Sequence, residues 1–116
     1  MISVRRFNEV NGVVDMDFKE ISHLLYHNII LSILKEELNC EVLFYNDLIT
    51  DIDCGLRWNG IEFEFNHHYI FGNIIRVTPE HADAIEQLAK NTANIINEKA
   101  KLGKSTGTQG DGSVVL

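Results

Sequence analysis

The sequence predicts a single α+β domain, a mainly antiparallel sheet of four to six strands with two helices packed on one face. Three features predict it. Asn59-Gly60 separates two alternating segments that match across a two-residue turn. Two other segments, after Asp17 and after Thr78-Pro79, carry one apolar stripe each at helical spacing. The strand-like pieces are joined by connections suited to antiparallel neighbours.

Residues 1–16 read as one or two short strands, with Ile2 and Val4 alternating and Asn11-Gly12 as a turn before Val13-Val14. Asp17 then reads as a helix cap with Glu20 completing a capping box, and Ile21, Leu24, Leu25, Asn28, Leu31 and Leu34 follow on one stripe to an end near Leu38. Residues 41–45 read as a buried strand, and 46–53 as an irregular acidic loop. Around Asn59-Gly60, a pair suited to a type I′ turn, Trp58 faces Ile61, Leu56 faces Phe63 and Cys54 faces Phe65. On the opposite face Arg57 meets Glu62, and Gly55 meets Glu64.

Residues 66–69 read as a turn, and Phe71 to Val77 as a returning strand with Phe71, Ile75 and Val77 on one side. Thr78-Pro79 opens the second helix, with Pro at its first position and Glu80 near the positive end of the dipole. Its stripe includes Ile85, Leu88, Ala89, Thr92, Ile95 and Ile96, and Gly103 can end it. The domain is therefore expected over 1–102. Residues 103–116 are glycine-rich and small, as in a flexible C-terminal tail.

Composition narrows the function. At 116 residues, 45% hydrophobic and 23% charged, the chain suits one globular domain, and no apolar run is long enough to span a bilayer. MISVRRFNEV has no apolar stretch behind its arginines, so a cytoplasmic protein is expected. Cys40 and Cys54 make no disulfide framework and read as reduced, semi-buried thiols. The formal net charge is −7, and it is concentrated: from Glu36 to Glu64 there are eight acids against Arg57 alone. Such an excess disfavours direct nucleic-acid binding and favours a basic partner; a solvated face kept for solubility is the plain alternative.

No constellation points to catalysis. Gly-Lys-Ser at 103–105 lacks the earlier glycine of a phosphate loop, since Glu98 stands there, and it follows a helix. His23 and His27 share helical spacing but lack a third ligand, and read as surface or boundary residues. Glu62 and Glu64 share a strand face, as nuclease acids do. The position where such folds place a lysine instead holds a second acid, or Asn66. His67-His68 with Asp51 and Asp53 could hold a metal or an acid–base pair, but turns favour these residues anyway. Trp58, Phe63, Phe65 and Phe71 read as a core aromatic cluster, while Tyr69 reads as exposed. No catalytic residue, metal ligand or cofactor is assigned.

Gly60 to Phe65 (GIEFEF), followed by Phe71 to Arg76 (FGNIIR), resembles a pattern in small bacterial immunity proteins of polymorphic-toxin systems, including contact-dependent growth inhibition. The stretch that carries it, Gly55 to Val77 (GLRWNGIEFEFNHHYIFGNIIRV), covers about a fifth of the chain. The resemblance implies a single-domain cytoplasmic inhibitor of one cognate toxin domain, many such toxins being nucleases with basic clefts. It assigns no contact residues.

From the residues themselves, the expected partner-binding surface joins Asp47, Asp51 and Asp53 from the loop, Glu62 and Glu64 from the open sheet face, and His67, His68 and Tyr69 from the adjoining turn. The expected partner is a protein, not nucleic acid and not a membrane. The rivals are a structural or assembly protein that forms a homodimer or larger homo-oligomer, and a small metal-dependent enzyme at the histidine and aspartate group.

Overall fold

Alternation of buried and exposed side chains fixes the sheet. Val14, Met16 and Phe18 point one way on one strand, Phe63 and Phe65 on a second, Ile75 and Val77 on a third. The computed structural model describes residues 1–106. Six strands, β1 (Ser3–Val10), β2 (Val13–Lys19), β3 (Glu41–Asp47), β4 (Asp51–Trp58), β5 (Ile61–His68) and β6 (Gly72–Val77), form one open sheet in the order β1-β2-β6-β5-β4-β3. Every neighbouring pair is antiparallel. The helices α1 (Leu24–Glu36) and α2 (Ala82–Thr106) pack over one face, where Ile30, Ile33 and Leu34 join Ile85, Leu88 and Ile96 in one core with the inward strand residues. The expected α+β class is therefore the observed one.

The β4–β5 hairpin has the predicted register: Trp58 pairs with Ile61, Leu56 with Phe63, Arg57 with Glu62 and Gly55 with Glu64. Asn59 and Gly60 take φ of 50° and 78°, the left-handed values the turn requires. Asn11-Gly12 does the same between β1 and β2.

Four expectations need correction. Residues 17–22 are not a helix start. β2 continues through Lys19, because Phe18 completes the inward series with Val14 and Met16, and α1 opens at Leu24 with His23 as its cap. The buried stripe of α1 is consequently rotated: His27, Ile30, Ile33 and Leu34 face the core, while Leu24, Leu25 and Asn28 are exposed. The segment 46–53 is no irregular loop, since β3 runs to Asp47 and β4 starts at Asp51 around a tight turn with Ile49 at φ 77°. β3 itself is an edge strand, mostly exposed.

At the other end, a 3-10 turn (Pro79–His81) leads into α2, which passes through Gly103 to Thr106; Thr78 stands at the N-cap position of the turn without a side-chain capping bond. The remainder of the expected tail, 107–116, lies outside the described residues. Cys40 and Cys54 are both free and buried, and burial pushes each thiol up to about 11.

Candidate protein-binding face

The uncovered sheet face is built by the residues that alternate with the core. Pairing sets Asp15 beside Arg76, Arg76 beside Glu64, Glu64 beside Gly55 and Gly55 beside Phe44, a row running from β2 to β3. Gly55 is required here. A Cβ at that position would clash with the Phe44 ring, which packs against the glycine. A bulge in β3 between Val42 and Phe44 turns that ring onto this face.

Charge on this face is only partly compensated. Arg76 donates to both oxygens of Asp15, at 2.7 and 3.0 Å, and Asn8 donates to the same carboxylate. Asp15 is 3% exposed, and its charge-assisted bonds with Arg76 hold its carboxyl below the ordinary range. Arg57 bridges Glu41 at 3.0 Å and Glu62 at 3.2 Å, and Arg5 bonds Asp17 at 3.0 Å. One arginine thus serves two carboxylates. Glu64 is left with an amide donor from Asn66, Asp51 with the Tyr69 N–H at 3.4 Å and a His68 ring nitrogen 3.9 Å away. The Asp53 carboxylate makes no hydrogen bond or ion pair among the described residues.

One end of this face is apolar. The β3–β4 and β5–β6 turns lie side by side, tied where Leu48 N–H donates to the Asp51 carbonyl and Asp51 pairs with His68. They present Leu48, Ile49, Tyr69, Ile70 and Phe71, all more than half exposed. Exposed Leu24 and Leu25 follow His23, whose carbonyl accepts from Asn73 on adjacent β6. Contiguous exposed apolar groups of this kind mark interaction sites.

Asp51, Asp53, Glu62 and Glu64 therefore share the open face, the two aspartates from strand β4 and not from the expected loop, and His68 and Tyr69 stand at its end. Asp47 and His67 do not. Asp47 pairs with inward-facing Ile52 and its carboxylate accepts from Ile49 N–H, fixing the tight turn. His67 follows Phe63 and Phe65 at period two and points into the core, where its Nδ1 meets the Asn73 side chain at 2.9 Å. Glu36 and Glu37, the first acids of the acidic stretch, end α1 on the helical side, where Lys99 of α2 reaches Glu37. Phe71 also departs from expectation: it stands in the turn, 64% exposed, because Gly72 at φ 82° redirects the chain where β6 begins.

The buried histidines were not anticipated. His27 has no exposed surface, stacks on Phe65 with centroids 4.2 Å apart and planes at 5°, and places Nε2 3.2 Å from the Phe65 carbonyl. Its Nδ1 has no hydrogen-bond partner among the described residues, and burial pushes its pKa down to about 4. His27, Ile30 and Leu34 at helical spacing were the available signal.

Among the described residues no three His, Cys, Asp or Glu side chains converge as a metal site needs, and no helix is long and apolar enough to cross a membrane. The fold and face define an open-sided α+β protein whose uncovered sheet is acidic and ends in an apolar pole. No protein family, curated protein or solved structure matches this chain.

Proposed function

We propose that this chain is a non-catalytic binding protein of the immunity type, which neutralises a basic, nuclease-type toxin domain in the cytoplasm by covering it with the open sheet face. One observation carries the proposal: an uncovered face on which, among the described residues, the carboxylates of Asp51, Asp53 and Glu64 form no salt bridge with a lysine or arginine, Arg76 beside Glu64 being bonded to Asp15, bordered by exposed Leu48, Ile49, Tyr69 and Phe71. Protein interfaces combine an apolar, aromatic centre with a polar rim, and uncompensated carboxylates steer a cationic partner and exclude others. Nucleic acid meets the wrong sign of charge on this face.

The cognate domain is sought beside the gene, in a neighbour for a large secreted protein with a variable C-terminal domain. Expression of this chain is expected to protect cells from that C-terminal domain, and the two purified proteins to form a 1:1 complex. Absence of both protection and complex would overturn the proposal.

A further inference from the structure

Where the acidic face meets the apolar pole, a cleft of about 200 Å³ is lined by Asp51, Asp53, Asn66, His68, Phe71 and Arg76 among others. Its aromatic wall is held in place. The His68 ring lies 4.8 Å from the Phe71 ring and 5.2 Å from that of Tyr69, tilted 35° and 21°. Its Nδ1 accepts the backbone N–H groups of Ile70 at 3.1 Å and Phe71 at 3.4 Å, so the ring and the turn fix one another. That bonding leaves the ring proton on Nε2, which faces Asp51 at 3.9 Å.

The cleft also carries unspent negative charge. Its cation, Arg76, is committed to Asp15 through two hydrogen bonds, whereas the Asp53 carboxylate has no partner among the described residues. Resting on the binding role proposed above, we propose that this cleft receives a single arginine side chain from the basic partner. The guanidinium would lie along the Phe71–His68 wall and direct its N–H groups to Asp51 and Asp53, while Tyr69, Ile70 and Ile49 close over it against the partner and exclude water. A planar cation that stacks and forks matches a flat aromatic wall beside two carboxylates; a lysine ammonium uses the carboxylates but not the wall. Desolvated anchors of this kind, ringed by apolar contacts, carry much of the binding energy of protein interfaces.

The probe is N-acetyl-arginine N-methylamide, titrated at low salt into isotope-labelled protein while backbone amide resonances are followed. Expected are saturable shifts confined to Asp51, Asp53, Asn66 and the 68–71 turn, absent with the citrulline analogue and weaker with the lysine analogue. Asp53→Asn and Phe71→Ala, both surface changes checked for native spectra, should each weaken binding by about tenfold. Equal shifts with citrulline, equal affinity for the lysine analogue, or shifts spread evenly over the sheet would overturn the assignment. A short oligolysine separates the two levels of the proposal. If it binds the face while the arginine probe does not, the cleft assignment falls and the acidic face stands; if neither binds, both fall.

Discussion

His27 gives the fold a pH dependence with a defined sign. Its Nε2 donates to the Phe65 carbonyl, its Nδ1 is buried with no hydrogen-bond partner among the described residues, and the rings of His67 and Tyr45 lie 6.1 and 6.4 Å away. Protonation would bury a charge and a second N–H with no partner, which is why the pKa falls from 6.5 to about 4. Between those values the unfolded chain binds a proton that the folded chain refuses, so stability rises with pH across the window. The full gap is worth about 3 kcal/mol, of which about 2 kcal/mol is lost on going from pH 7 to pH 5. Asp15 and Glu86, whose arginine partners lower their carboxyl pKa, lose their contribution only as pH falls through values below the ordinary 3.8 and 4.5, so they leave this range to the histidine. The assay is urea unfolding at half-unit pH steps, on the wild type and on His27→Phe, which keeps the stack on Phe65 without the titrating group. The variant should lose most of the slope between pH 7 and 5. An unchanged slope in His27→Phe, or a flat wild-type profile, would refute the reasoning.

Three other outcomes are expected. Gly55→Ala should cost about 1–2 kcal/mol by displacing the Phe44 ring, yet become neutral or slightly stabilising in a Phe44→Ala background, where a strand alanine outperforms glycine; equal effects in both backgrounds, measured by urea unfolding in a double-mutant cycle, would contradict the packing. Asn73→Ala removes the amide that donates to the Ile21 carbonyl at 2.8 Å and the His23 carbonyl at 3.2 Å and meets His67, so a loss of about 3 kcal/mol is expected from thermal or urea denaturation. Both edge strands carry a bulge, β1 between Arg6 and Asn8 and β3 between Val42 and Phe44, which blunts edge-to-edge pairing. Sedimentation equilibrium should therefore find a monomer at micromolar concentration, and a dimer would revive the self-assembly reading.

The parts of this fold legible in the sequence are those specified locally. Asn11-Gly12 and Asn59-Gly60 demand left-handed backbone, and the residues flanking the second turn agree with it in both polarity and charge. Errors arose where a polar cue competed with a period. Asp17 and Glu20 imitate a capping box, but the period-two series Val14, Met16, Phe18 wins because it completes the sheet's inner face against both helices. His67-His68 resembles a turn, yet Phe63, Phe65 and His67 alternate, and the core supplies Asn73 to satisfy the imidazole. The acidic stretch was visible as a charge count, but its convergence was not. Only the pairing of β4 with β5 brings Asp51, Asp53, Glu62 and Glu64 together, while Glu36 and Glu37 leave with α1.

That division provides the most direct test of the binding face. The association rate with the cognate domain, followed by stopped-flow over a range of ionic strength, is compared between Asp53→Lys/Glu64→Lys and Glu36→Lys/Glu37→Lys, which alter net charge equally. The sheet-face pair should slow association by about tenfold at low salt and flatten its salt dependence, with the helix-end pair near wild type. Equal effects from the two pairs would mean that total charge, not this face, guides the partner.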